Sequence, residues 1–306
     1  MIISASRRTD IPAYYSEWFF NCIKEGYALV RNPMNLQQIS KVNLSSDVVD
    51  AIVFWTKNPT PMLDRLDELK DYKYYFQFTL NSYGKDIEPN VPSKNEVIIP
   101  SFINLSKKIG KQKVIWRYDP ILLNKKYTMD YHVKYFELLA SKLSKYTEKC
   151  TISFIDYYKK IDKNIKLLNI VIPTLDQQIE LIQRFSQIAK NYGIIIDTCA
   201  ENSNFDKYNV KHAHCIDKDR IEKICGYSLK LNKDKNQREA CGCVESIDIG
   251  MYNTCRHECI YCYANYSKNI VNNNYNIYNP LSPLLCGKIT ESDVIKEREV
   301  KSNRII

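Results

Sequence analysis

The chain contains no run of about 18 consecutive apolar residues, the length that a membrane-crossing helix needs, so no transmembrane helix is expected. Hydrophobic residues make up 44% of it and its mean hydropathy is −0.40, values of a globular protein rather than a membrane protein. The opening Met-Ile-Ile-Ser-Ala-Ser-Arg-Arg lacks the basic-then-apolar order of a signal peptide, which predicts a cytoplasmic protein. No low-complexity linker and no sequence-level repeat interrupts the 306 residues. That length fits one α/β-barrel-sized domain or two ordinary ones.

Cysteine, by contrast, is plentiful. There are 11, and all except Cys22 and Cys150 lie at Cys199 or beyond. In a reducing compartment such a cluster points to metal or redox chemistry rather than to disulfides. The net charge of +9 permits binding to nucleic acid or to an anionic substrate. The excess lysine is scattered, however, as on a solvated basic surface.

The densest group is Cys255-x3-Cys259-x2-Cys262. Three thiolates this close can hold three irons of a [4Fe-4S] cube and leave the fourth iron open. A ferredoxin loop would supply a fourth cysteine, and a structural zinc site would close with four ligands. No fourth ligand follows at short spacing. A zinc site that borrows His257 or an upstream cysteine is the competing reading. A second group, Cys199, Cys215, Cys241 and Cys243, suits an auxiliary iron–sulfur cluster or a zinc ion. Buried free thiols, or one cysteine acting as a hydrogen-atom donor, are the alternatives there.

Upstream, apolar strands alternate with helical patterns. Strands are expected at Ile2–Ser6, Asp50–Trp55, Tyr74–Leu80, Lys113–Arg117, Cys150–Ile155, Gly193–Cys199 and Ser246–Ile249. Helices are expected at Ala13–Glu25, Met62–Leu69, Glu96–Ile109, Tyr131–Ser144 and Asp176–Tyr192, with long connections at Tyr27–Asp47 and Asn202–Lys235. This alternation argues for βαβ units and a parallel sheet. Polar residues collect where the strands end, as at the catalytic mouth of an α/β fold. They are Arg7, Thr9 and Asp10, then Lys57, Thr79, Arg117 and Asp119. Asp10 or Thr9 also suits the N-cap of the following helix. Arg117 and Asp119 are the leading candidates for substrate contact, or for a salt bridge that locks their loop. Tyr83, Glu88 and Asp156 share the expected mouth. Cys22 reads as core packing, His132 as a surface or capping residue, and His212 and His214 as loop residues.

The x3, x2 spacing with an aromatic, Tyr261, before the third cysteine resembles the signature of radical S-adenosylmethionine (radical SAM) enzymes. Three further segments, Ser4-Ala-Ser-Arg-Arg-Thr-Asp-Ile11, Val53-Phe-Trp-Thr-Lys57 and Phe76-Gln-Phe-Thr-Leu-Asn81, resemble motifs of spore photoproduct lyase, in the order found downstream of its cysteine loop. In that family the cysteine loop comes first; here it comes last. The resemblance therefore implies a circularly permuted, parallel (βα) TIM-like barrel, full or partial, with the cluster-loop strand at its C-terminal end beside the N-terminal strand. One barrel domain is expected over residues 1–266, including a cysteine-rich segment 199–266, followed by an extension, 267–306, with a charged, frayed tail. The same resemblance implies a [4Fe-4S] cluster at Cys255, Cys259 and Cys262. It also implies S-adenosylmethionine bound by Thr9, Asp10, Lys57, Thr79 and Tyr261, and a reducing partner such as a flavodoxin or ferredoxin. The lyase places a hydrogen-donating cysteine where this chain has Arg7, so thymine-dimer repair does not transfer. Arg7 instead suits a small anionic or nucleotide-like substrate. Taken whole, the chain looks like a member of the bacterial family called domain of unknown function 1848, through its Ser-Ala-Ser-Arg-Arg-Thr-Asp, Phe-Trp-Thr-Lys-Asn-Pro, Trp-Arg-Tyr-Asp-Pro and Cys-Gly-Cys segments. A zinc-stabilised nucleic-acid-binding protein and a non-catalytic iron–sulfur sensor are the rival readings.

Overall fold

The computed structural model describes residues 1–156 and 161–305, and only the backbone of Lys163. Eleven strands are present among them: β1 (Ile2–Ala5), β2 (Tyr27–Arg31), β3 (Gln38–Asn43), β4 (Ala51–Thr56), β5 (Tyr74–Thr79), β6 (Val114–Ile121), β7 (Lys149–Phe154), β8 (Ile195–Thr198), β9 (Lys211–His212), β10 (Ile247–Asp248) and β11 (Val294–Glu297). Eight of them form one sheet in the order β10-β1-β4-β5-β6-β7-β8-β9. Every neighbouring pair in it is parallel.

Helices cross from strand to strand where the sequence places start signals. Asp10 caps Ile11–Tyr14, which is followed by Ser16–Glu25. Thr128 caps Met129–Leu143, and Thr174 with Gln177 forms a reciprocal capping box at the start of Leu175–Asn191; in each case a side-chain oxygen takes an otherwise orphaned backbone N–H. The segment Thr60–Leu69 winds as a 3-10 helix rather than an α-helix, and Lys94–Ile98 makes one π turn before Ile99–Ile109.

Strand side chains alternate between the two faces of the sheet. Phe54, Phe76 and Trp116 point into the main core with Phe19, Phe136 and Phe185 from the helices. Phe136 stacks on Phe185 at 4.2 Å and on Trp116 at 5.0 Å. On the other face Val53, Tyr75 and Ile115 pack against Cys215, Ile216, Cys241, Cys243 and Val244. The cysteine-rich segment is therefore the second layer of the fold.

β10 lies beside β1 in parallel register, Ile3 opposite Ile247, and the Ile249 amide donates to the Ser4 carbonyl at 3.1 Å. The sheet nevertheless does not close into a barrel. Its two edge strands, β9 and β10, are two residues long each and pair with β8 and β1, not with each other, in the described sheet. Between them the chain turns onto the inner face, where the helix Lys218–Cys225 interrupts what the sequence suggested was irregular.

Three further expectations need correction. The connection Tyr27–Asp47 contains an antiparallel hairpin of β2 and β3, with β11 added parallel to β3. The C-terminal tail is tied down: Ser302 and Asn303 bond the buried Asp50 carboxylate, which also takes the N-terminal ammonium at 2.6 Å. His132 is fully buried, its Nδ1 on the Tyr118 hydroxyl and its Nε2 on the Leu122 carbonyl, both at 2.8 Å. Burial pushes its pKa down to about 4 because the charged imidazolium would lose its water.

Candidate functional site

A cavity of about 300 Å³ opens where the parallel strands end. Alternation along each strand turns a polar side chain toward it: Ser6 after β1, Trp55 in β4 and Lys57 just beyond, Thr79 in β5, Arg117 and Asp119 in β6, Ser153 in β7 and Cys199 after β8. The loop after β10 supplies Cys255, Cys259, Tyr261 and Cys262, and the cysteine-rich segment adds Cys215, Cys241 and Cys243. Arg7, Thr9 and Asp10 complete the lining. Apart from Tyr83 and Glu88, the candidate residues thus meet on one cavity, although Arg7 and Cys262 lie at opposite ends of the chain.

Two carboxylates fasten the cysteine loop to the sheet. Asp248 Oδ2 accepts from Ser4 Oγ and from the Arg7 amide, both at 2.8 Å, while Oδ1 accepts from Ser6 Oγ at 2.6 Å and from the Gly250 amide at 3.0 Å. Gly250 is required by this close approach, because a Cβ there would lie 2.1 Å from Ser6 Oγ. Asp10 caps its helix by accepting from the Ala13 amide at 3.0 Å through Oδ1. Its Oδ2 accepts from the Lys57 amide at 2.7 Å and faces His257 Nε2 at 2.8 Å. A carboxylate only accepts, so Nε2 carries the proton and Nδ1 accepts from the Tyr14 hydroxyl at 2.9 Å. Both nitrogens of His257 are therefore engaged within the protein. Asp10 is likewise a cap and a clamp.

Behind the loop, the buried Glu88 joins Lys57 Nζ at 2.8 Å and Lys94 Nζ at 2.7 Å and accepts from the Tyr261 hydroxyl. Burial opposes its charge, but the two ammonium groups outweigh that and hold its pKa below the ordinary carboxylate range. Burial also opposes the charge of Lys57, and the Glu88 carboxylate outweighs it, so this lysine stays charged.

The three thiols of the loop are partly exposed to the cavity yet walled by protein. Burial raises all three pKa values, Cys255 well above the thiol range and Cys259 to about 12. Thiols so placed stay protonated until a cation arrives to bind the thiolates. Among the described residues no three His, Cys, Asp or Glu side chains converge tightly enough to grip a metal ion as they stand. The donor set, three soft thiols with the cavity on their open side, still fits an iron–sulfur cluster.

The other wall of the cavity is cationic. Arg117 pairs with Asp119, its Nε donating at 2.9 Å, and its Nη1 donates to Cys215 Sγ at 2.9 Å. The salt bridge that the sequence allowed is thus present, and it sits within β6, where the register shifts between Tyr118 and Ile121. The guanidiniums of Arg7 and Arg117 lie over the Trp55 ring at 5.7 Å and 5.3 Å. Arg7 Nη2, Thr9 Oγ1 and Trp55 Nε1 are buried without a hydrogen-bond partner. Buried polar atoms are rarely left so, and three of the six such side-chain atoms among the described residues line this cavity.

Sequence reasoning passed over Trp55, Asp248 and His257's clamping role, and ranked Glu88 low. Trp55 carried a signal, since it precedes Lys57 by two residues and so shares its face of the strand. Asp156 lines the cavity with Arg238 as its ion-pair partner, whereas Tyr83 and Glu88 stand behind the lining and support Tyr261.

The chain belongs to the family described as Domain of unknown function (DUF1848), which matches residues 2–264. A search of the curated proteins finds no match. Among solved structures, a "putative alpha-L-fucosidase from Bacteroides thetaiotaomicron VPI-5482" aligns at 12% identity over 76% of this chain and 85% of that one, with a TM-score of 0.26. A likeness that slight carries no argument about fold or function.

Proposed function

We propose that the protein is a radical SAM enzyme whose open, parallel sheet is the arc of a circularly permuted partial barrel, with β10 in first place. The observation that carries this reading is the meeting of Cys255, Cys259 and Cys262 with Thr9, Lys57, Thr79 and Tyr261 on one cavity. When bound, a reduced [4Fe-4S] cluster would supply the electron that splits S-adenosylmethionine into methionine and a 5′-deoxyadenosyl radical.

The chain's own residues do the positioning. Lys57, kept charged by Glu88, suits the carboxylate of S-adenosylmethionine, and the unpartnered Thr9 hydroxyl and Thr79 suit its polar groups. Asp10 acts by position, fixing Lys57 and the cysteine loop through His257. Arg7, Arg117 and Trp55 make a cationic, aromatic wall that favours a small anionic or nucleotide-like substrate. Enclosure by protein shields a reactive radical from water.

Anaerobic reconstitution with iron and sulfide, then dithionite and S-adenosylmethionine, should yield 5′-deoxyadenosine. The Cys255→Ala/Cys259→Ala/Cys262→Ala variant should yield none. Wild-type protein that takes up zinc but no iron and cleaves nothing refutes the reading.

A further inference from the structure

The four cysteines outside the loop form a connected group. Cys199 Sγ lies 3.1 Å from Cys215 Sγ, and Cys215, Cys241 and Cys243 pack together in one buried cluster and line the same cavity as Cys199. They reach one place from three elements: the end of β8, the loop after β9 and the Cys241-Gly-Cys243 turn before β10. Their backbone is fixed. Tyr75 Oη and Gln77 Nε2 donate to the Cys215 carbonyl at 2.6 Å and 2.7 Å, and the Ile216 amide donates to Cys243 Sγ at 3.3 Å. The His214 ring lies so close on Gly242 that a Cβ would fall 2.5 Å from it, so the turn between two of the thiols is held from outside as well.

Charge supplies the independent observation. Two guanidiniums face this group: Arg117, 4% exposed, with Nη1 on Cys215 Sγ, and Arg7, which reaches Asp234 at 3.8 Å while its Nη2 is buried and unpartnered. Neutral thiols are weak partners for buried cations. Four thiolates around a doubly positive metal or cluster core carry a net charge of about −2, and Arg117 Nη1 and the unpartnered Arg7 Nη2 are cationic donors beside it, beyond their pairing with Asp119 and Asp234.

We propose that Cys199, Cys215, Cys241 and Cys243 form a tetrathiolate metal site, with the guanidiniums of Arg7 and Arg117 beside it, on the cavity wall next to the first cysteine loop. As they stand the thiols do not converge on a ready-made metal geometry, and no such group exists among the described residues. Binding requires each cysteine to turn about its single side-chain torsion and to release its proton to solvent as the metal takes the thiolate. The site does not depend on the radical SAM reading, since none of its ligands belongs to the Cys255 loop.

The test is anaerobic purification of the full chain as wild type, as the Cys255→Ala/Cys259→Ala/Cys262→Ala variant and as Cys241→Ser/Cys243→Ser. Each is analysed for zinc, iron and sulfide, and each cysteine is mapped by alkylation and mass spectrometry. The triple variant should retain either one zinc or about four irons with four sulfides per chain. Its Cys199, Cys215, Cys241 and Cys243 should resist alkylation until chelator or acid strips the metal, while Cys241→Ser/Cys243→Ser loses that metal. Zinc and iron both uphold a tetrathiolate site and tell which core it takes. A metal-free triple variant whose four thiols alkylate freely overturns the proposal. So does protection relieved by reductant alone, the mark of disulfides. Should either variant fail to fold, the alkylation map of the wild type, before and after chelation, decides alone.

Discussion

His257 donates its Nε2–H to the Asp10 carboxylate at 2.8 Å, across 247 residues of sequence. That bond makes the cysteine loop depend on the end of the first strand. Replacing Asp10 by Ala leaves His257 Nε2 and the Lys57 and Ala13 amides without their acceptor. An unsatisfied buried donor and a lost cap each weigh on the order of 1–2 kcal/mol, so Asp10→Ala should destabilise the protein by about 3 kcal/mol. Urea unfolding checks this: an unchanged midpoint would mean that the clamp contributes nothing.

Glu88→Gln should be harsher than an ordinary surface substitution. Glu88 is 2% exposed and stands between two ammonium groups. Removing its charge leaves Lys57 and Lys94 buried without compensation, a loss of about 3–5 kcal/mol by analogy with broken buried pairs. The pH dependence has a defined sign. The folded-state pKa is depressed, so the stabilisation is complete above the unfolded carboxylate value of about 4.3. It is lost as pH falls below that value toward the folded-state pKa. Acid unfolding curves of the wild type and Glu88→Gln should therefore converge at low pH; parallel curves would count against the triad.

His132 gives a second acid-sensitive point outside the cavity lining. Its pKa is lowered to about 4 by burial, from an unfolded value of about 6.5. Its stabilising contribution is present in full above about pH 6.5 and declines as pH falls through the folded value, amounting to roughly 3 kcal/mol over that window. His132→Gln should flatten the fall in stability between about pH 6.5 and pH 4. An identical slope in the variant, measured by thermal unfolding across that range, would place the acid sensitivity elsewhere.

Much of this architecture is legible in the sequence because it rests on local signals. The β1, β4, β5, β6 and β7 strands announce themselves as apolar runs closed by polar turns, and Gly26 marks the end of the Ser16–Glu25 helix through its left-handed backbone conformation. What the sequence hides is set by partners distant in the chain. The hairpin of β2 and β3 is stabilised by β11, more than 240 residues further on, and reads alone as a polar connection. The cysteine-rich segment packs on one face of the open sheet, and no periodicity records that. In the cavity, residue types at strand ends pointed to the lining. The clamping roles of Asp248 and His257 appear only when both ends of the chain are folded together.

Gly250→Ala tests that long-range closure directly. An added Cβ would lie 2.1 Å from Ser6 Oγ and 2.5 Å from Ser6 Cβ, so either Ser6 or the start of the cysteine loop must move. Both are tied to Asp248, and the displacement should pass to Cys255, Cys259 and Cys262. Gly26→Ala is the matched control. At φ 79° it carries backbone strain with open space around the new methyl, which weighs about 1–2 kcal/mol, and it does not line the cavity. Both variants should lose a similar amount of stability, overpacking being worth about 1–3 kcal/mol. Only Gly250→Ala should change the alkylation rates of Cys255, Cys259 and Cys262 in metal-free protein. Equal thiol reactivity in the two variants would show that the contact between Gly250 and Ser6 does not position the loop.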